Sequence, residues 1–233
     1  MIKTRVIPVV LWDGINCVQT VRFGRPPRVF GSLADVLRVY EKRNVDELIL
    51  LHIDTVKPDI EQIKWFTSQM FCPITVGGGV SSLDDIRKLL LAGADKVAIR
   101  TAAEPWFIEE ASRKFGAQAI VFSLDVPVSM PLQAASIIAH DTEVAGAGEI
   151  LLTSIDYNGT QRGYDLDLIS EVANAVTIPV IAHGGCGTAG HMVQALQAGA
   201  HAVAASTMFL FTETTPRECS KYIQEHGIAA RVI

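Results

Sequence analysis

The amino-acid sequence predicts an α/β chain closed into a (β/α)8 barrel with a two-fold internal repeat. Three observations carry that expectation. Short apolar runs alternate along the chain with longer amphipathic segments. Each run is continuous rather than alternating, the mark of parallel strands covered on both faces. The second half also repeats the first: Pro73-Ile74-Thr75-Val76-Gly77-Gly78-Gly79 returns as Pro179-Val180-Ile181-Ala182-His183-Gly184-Gly185, and Ala92-Gly93-Ala94 as Ala198-Gly199-Ala200. The offset is 106 residues in both cases (73 to 179, 92 to 198). A barrel of this TIM type takes roughly 250 residues, so residues 1–233 are expected to form a single barrel domain made of two half-barrels.

The expected strands are Val6–Leu11, Glu47–Ile53, Ile74–Val76, Lys96–Ile99, Ala119–Leu124, Glu149–Thr153, Val180–Ala182 and Ala202–Ala205. Helix starts are written between them. Ser32 and Ser82 stand as N-caps, and Asp84 and Asp85 follow Ser82 where the helix dipole favours acids. Pro105 suits the first helical position. Asp165-Leu166 opens another helix, and the last runs from about Thr215 to Glu225, closed by Gly227. The fifth helix is expected within Gln133–Ala145, after the irregular Val126–Pro131.

Composition narrows the function classes. A net charge of −5 gives no basic field for nucleic acid or anionic lipid. Cys17, Cys72, Cys186 and Cys219 show no metal or disulfide spacing, which suits a reducing cytosol and predicts no metal or other cofactor. No apolar run is long enough to span a membrane.

In this architecture chemistry sits at the C-terminal ends of the strands. The residues there are Leu11, Asp54, Gly77-Gly78-Gly79, Arg100-Thr101, Asp125, Asp156 with Asn158-Gly159, His183-Gly184-Gly185, and Ala205-Ser206. Gly79 and Gly185 each precede a helix, where backbone N–H groups and the helix terminus favour a phosphate. The same glycines also serve tight turns. Asp125 is a candidate general acid or base, Asp54 divides between catalysis and capping, and Asp156 is expected to shape its turn. His183 could donate to an anion or titrate, but reads first as a packed or solvated histidine, and Cys186 reads as a small loop residue. At the opposite ends of the strands stand four charges, Arg5, Glu47, Lys96 and Glu149. A ring of them would pair laterally at the barrel floor and gate a central passage; four ordinary surface charges are the alternative.

Taken together, Arg5-Val6-Ile7-Pro8, Asp46-Glu47-Leu48, Thr75–Gly79, Ala92–Val97 and Gly146–Asp156 resemble the cyclase subunit of imidazole glycerol phosphate synthase, the HisF family. The resemblance implies a cytoplasmic partner of a glutaminase subunit, whose ammonia crosses the barrel from floor to mouth. There it would attack a bis-phosphorylated ribulosyl carboxamide nucleotide, giving imidazole glycerol phosphate and aminoimidazole carboxamide ribotide. It implies that Arg5, Glu47, Lys96 and Glu149 form the gate and that Asp95 lies near the partner interface. Gly79 and Thr101 would hold one phosphate; Asn158, Gly159, Gly184, Gly185, Ala205 and Ser206 the other. Asp125 matches one catalytic aspartate and Asp54 a further acidic residue.

The sequence also departs from that pattern. Leu11 stands where the family carries its strand-one aspartate, Gln19 where a lysine usually follows, and Arg100 where the fourth strand has asparagine. The segment from Asp125 to Glu149 is short for the family. These departures, with Arg22–Gly31, resemble a paralogous branch found with surface-polysaccharide genes, which passes ammonia to a separate sugar amidotransferase making acetamidino sugars. Three functions therefore compete: a cyclase–lyase of histidine biosynthesis, an ammonia-delivery scaffold, and a phosphosugar isomerase. Leu11 counts against the isomerase, which also uses a strand-one aspartate.

Overall fold

The computed structural model describes residues 3–43, 45–100 and 103–231. In chain order the strands are β1 (Arg5–Trp12), β2 (Asn16–Gln19), β3 (Arg28–Ser32), β4 (Leu48–His52), β5 (Ile74–Gly77), β6 (Lys96–Arg100), β7 (Ile120–Val126), β8 (Glu149–Ser154), β9 (Val180–His183) and β10 (Ala202–Ala205). The helices are α1 (Leu33–Lys42), α2 (Ile60–Thr67), α3 (Leu83–Leu91), α4 (Pro105–Phe115), α5 (Leu132–Val144), α6 (Leu166–Ala175), α7 (Ala189–Gln197), α8 (Thr207–Phe211) and α9 (Pro216–Glu225).

Eight of these strands, β1 and β4 through β10, lie parallel in sequence order. Pairing of β10 with β1, from Arg5 opposite Ala202 to Pro8 opposite Ala205, closes them into a barrel. This is the (β/α)8 fold that the alternating runs predict. The remaining two strands form an antiparallel hairpin inserted after β1, with β2 paired to Leu11 and Trp12. The sequence did not announce it, because each strand is short and the turn region carries Pro26 and Pro27. The short α8 was likewise absent from the expectation.

Strand parity divides the apolar core in two. Ile7, Val9, Leu11, Ile49, Ala98, Val121, Leu151, Ile181, Ala202 and Ala204 pack together inside the barrel. The other faces of the same strands, including Val6, Val10, Leu48, Leu50, Val76 and Val97, pack under the helices. Successive residues of a strand point to opposite faces, so one continuous run serves both layers.

Helix starts follow the caps. The side chains of Ser32, Asp59, Ser82, Asp165, Thr188 and Thr215 each accept from a backbone N–H in the first turn. Helix α5 lacks such a bond at Pro131, which accounts for its weak signature in the sequence.

The repeat survives in the geometry. Strands β5 and β9 start at residues 74 and 180, α3 and α7 at 83 and 189, β6 and β10 at 96 and 202, an offset of 106 each time. Even the joints correspond. The Asp95 carboxylate accepts from Ile74 N at 2.8 Å, and His201 Nδ1, 106 residues on, accepts from Val180 N at 3.2 Å. Different chemistry thus performs the same task at the start of β5 and of β9.

The N-terminus of α9 carries a full capping box: Thr215 Oγ1 accepts from Glu218 N at 3.3 Å, and Glu218 Oε2 accepts from Thr215 N at 2.7 Å. Thr215→Ala is expected to lower stability by about 1 kcal/mol. Urea unfolding checks this; an unshifted midpoint would mean that packing of α9 against β1 and α7 holds it unaided.

Candidate active site

The barrel has a charged floor and a mixed mouth. Arg5, Lys96 and Glu149 open β1, β6 and β8, and Glu47 immediately precedes β4. Arg5 Nη1 lies 2.6 Å from Glu47 Oε2 and Arg5 Nη2 2.9 Å from Glu149 Oε1. Lys96 Nζ lies 3.0 Å from Glu47 Oε1 and 2.9 Å from Glu149 Oε2. The four charges alternate in a closed ring with zero net charge. All four side chains are largely buried, Glu47 most of all at 4% exposed. Burial works against the Arg5 charge, yet Glu47 and Glu149 together raise its pKa above the ordinary arginine value. The ring is therefore fully ionised at neutral pH on the arginine side. Asp95 is exposed on the same floor, where its carboxylate also fixes β5.

At the other end a cleft of about 310 Å³ opens between the strand ends. Asp54, Gly79, Asp125 and Asn158 all line it, with Leu11, Arg100 and His183. Asp125 ends the interior row of β7, two residues beyond Ser123, and stands opposite Thr153 of β8. Burial pushes its carboxyl up to about 6, against hydrogen bonds from Thr153 and Ser123 and the Arg100 charge. Such a group can hold or release a proton near neutral pH, as a general acid or base must. His183 is buried on β9 opposite Thr153, whose Oγ1 lies 3.1 Å from its Nδ1. Burial lowers the His183 imidazole to about 4, so it is neutral at pH 7.

Asp54 occupies a different setting. It follows β4 with φ +60°, a left-handed backbone, and its half-exposed carboxylate is ion-paired with Arg25. Arg25 comes from the β2–β3 turn, so the hairpin reaches across the mouth. Arg22 extends the same strap: its N–H donates to Asn158 O at 2.9 Å and its Nε to Asp156 O at 3.1 Å. Asp156 does more than shape its own turn, because its Oδ2 accepts from Val128 N at 2.6 Å and ties two mouth loops together. Asp13, two residues past Leu11, caps the β1–β2 turn by accepting from Ile15 N and Asn16 N. It therefore supplies no substitute for the missing carboxylate. Leu11 itself joins the inner apolar cluster.

Asn158, Gly159, Gly184, Gly185, Ala205 and Ser206 line one small recess beside the cleft. Gly185 has φ +102°, and a Cβ there would fall 1.9 Å from Gly163 O, so only glycine fits. Gly79 (φ +66°) is also crowded, with a Cβ meeting the Lys57 backbone at 2.7 Å. Thr101 lies outside the described residues. Cys186 also lines the recess, but burial pushes its thiol up to about 11, which keeps it a protonated neighbour rather than a nucleophile. Among the described residues no group of His, Cys, Asp and Glu has the arrangement of a metal site.

The sequence had flagged Asp125 but not its neighbours. Ser123 shares its interior parity and Thr153 is its register partner, so strand parity alone would have found both. Arg25 could not be foreseen, since its reach depends on how the inserted hairpin folds back.

Fold and site together define a closed (β/α)8 barrel with an ionic ring at one end and a carboxylate-bearing cleft at the other. Comparison with known proteins gives the family. Residues 5–215 match the family described as histidine biosynthesis protein. The chain is 38% identical, over 100% of both chains, to the "Putative imidazole glycerol phosphate synthase subunit hisF2" of Campylobacter jejuni. It is 35% identical, again over 100% of both, to the "Imidazole glycerol phosphate synthase subunit HisF" of Chlorobium limicola. The chain belongs to the HisF family of histidine biosynthesis proteins. Among the described residues no helix is long and apolar enough to cross a membrane.

The Asp125 setting predicts a distinctive pH dependence. Unfolded, the carboxyl titrates near 3.9; folded, it titrates at about 6. Between those values the native chain holds a proton that the unfolded chain has lost. Its contribution is present below about pH 4 and disappears as pH rises through about 6. Asp125→Asn, which does not titrate, should gain on wild type by at most about 3 kcal/mol from pH 4 to pH 8. Urea unfolding of both proteins across that range is the check, and a constant difference would contradict the raised pKa.

Proposed function

We propose that this chain is the barrel subunit of a glutamine-dependent amidotransferase, conducting ammonia from a glutaminase docked on its floor to the mouth. The floor ring carries the reading. Four charges taken largely out of water contribute little net stability compared with an apolar plug, but paired with one another they form a door across the barrel axis. Beyond them the inner cluster is apolar, with the small side chains of Ala98, Ala202 and Ala204 set among larger ones. Neutral ammonia can enter such a lining, whereas an ammonium ion would lose its hydration without compensation. Arg5, Glu47, Lys96 and Glu149 act as the gate, and Asp95 borders the glutaminase.

At the mouth, two anion cradles are proposed, one at Gly79 with Thr101 and one at Asn158, Gly159, Gly184, Gly185, Ala205 and Ser206. Asp125 is the proton-transfer group, with Asp54 as its acidic neighbour. The chemistry of the family, cyclisation and cleavage of a bis-phosphorylated ribulosyl carboxamide nucleotide, requires a proton to be taken and another given. Here one carboxylate of the pair is Leu11, and Asp54 is engaged by Arg25. Delivery of ammonia to a separate acceptor enzyme, as in acetamidino sugar synthesis, therefore suits the mouth better than cyclisation. The cyclase–lyase remains the second reading, favoured by the Asp125 carboxyl near 6.

Two measurements separate them. In complex with its glutaminase, the chain is expected to stimulate glutamine hydrolysis; no effect on hydrolysis would overturn the conducting role. Turnover of the bis-phosphorylated nucleotide with ammonium is expected to be absent or slow in wild type. Leu11→Asp should raise it by about 10²-fold or more, the contribution of one positioned acid–base group. Fast wild-type turnover, abolished by Asp125→Asn, would establish the cyclase instead. Lys96→Met should leave ammonium-driven reactions unchanged while uncoupling glutamine hydrolysis from ammonia delivery.

A further inference from the structure

The recess at Gly184 and Gly185 already holds a side chain of this protein. Gln19, the last residue of β2, is 6% exposed. Its Oε1 accepts from Ser206 Oγ at 3.0 Å, and its Nε2 donates to the Thr20 carbonyl at 2.7 Å. The hydroxyl that would donate to an anion donates to a carboxamide instead. The carboxamide oxygen is the same kind of acceptor that a phosphoryl oxygen presents. The space left in the recess is about 10 Å³, the volume in which a single water sits. A tetrahedral phosphoryl group does not enter it while Gln19 is in place.

Gln19 is also held from behind. It pairs with Arg28 of β3, so the hairpin fixes its backbone. Gly159 backs onto it, with a Cβ there falling 2.4 Å from Thr20 O and 3.3 Å from Gln19 Nε2. Swinging the side chain out forfeits two buried hydrogen bonds and leaves Ser206 without its acceptor.

We propose that Gln19 sets the ligand specificity of the mouth by occupying the second cradle as an internal stand-in for a phosphoryl group. Ligands bearing a phosphate at that end bind more weakly, because Gln19 must first be displaced, and a ligand carrying a phosphate only at the Gly79 end, or none, escapes that loss. The inference rests on reading the Gly184–Gly185 turn as an anion cradle, and is independent of ammonia conduction.

Titration with inorganic phosphate, followed by the amide resonances of Gly184, Gly185 and Ser206, tests it. Wild type should show no saturating shift at these amides in the millimolar range. Gln19→Ala should bind phosphate there at least about tenfold more tightly, and Gln19→Asn, shorter by one methylene with the amide kept, should fall between. Gln19→Asn also carries the test if the alanine variant fails to fold. Binding to wild type as tight as to either variant would overturn the specificity role while leaving the cradle reading intact. No binding to any of the three would overturn the cradle reading and the inference with it.

Discussion

Pairing of β10 with β1 is the contact on which the working parts depend. Arg5 stands opposite Ala202 in that ladder, and only closure brings it between Glu47 of one neighbour and Glu149 across the axis. In an open sheet the four charges would lie along an edge, hydrated and apart. Closure takes them out of water, and charge alternation then becomes obligatory. Each cation touches both acids and each acid both cations. Removing one member would leave an uncompensated charge in a largely buried place, a loss of about 3–5 kcal/mol in comparable buried pairs. An apolar floor would be at least as stable, so the ring is best explained by something other than stability.

The mouth is governed by the same closure and the opposite logic. At the floor every charge is matched. At the mouth the carboxyl of Asp125 is buried faster than it is compensated, and its pKa rises. His183 on a nearby strand is buried with no charge to support it, and its pKa falls. Burial thus drives both groups towards their neutral forms at pH near 6. The environment suits proton transfer by Asp125, but it holds one such group where two opposed ones would be needed. Leu11, packed among the inner apolar side chains, extends the dry interior up to the cleft.

Most of the architecture was legible because it rests on local rules. Parallel strands buried on both faces write continuous apolar runs, and Ser32, Ser82, Asp165 and Thr215 write helix starts. The glycines were legible for a related reason: φ near +100° at Gly184 and Gly185 admits little else. The floor ring was legible as four charges at strand starts that would pair laterally; which partners each one takes needed the closed geometry. What stayed hidden lies in the β2–β3 hairpin. Its strands are too short to show a period, and its functional contacts, Arg25 to Asp54 and Gln19 to Ser206, span 29 and 187 residues. Nothing in the local pattern around either residue specifies such a partner.

That hairpin also explains how two halves with one plan became unequal. Gly79 and Gly185 are counterparts at the 106-residue offset, as are Ser82 and Thr188, which cap the helices that follow. Arg100 and Ser206 are counterparts too, yet Arg100 is exposed at the mouth while Ser206 is buried against Gln19. The inserted strand comes from the first half and is seated against the second, between β1 and the β8–α6 turn. It therefore fills one of the two proposed cradles and cannot reach its twin in the same way. A symmetric barrel offers two equivalent anion positions only while nothing crosses between the halves. A single buried carboxamide, positioned by an insertion after β1, is enough to break that equivalence without disturbing the strands that created it.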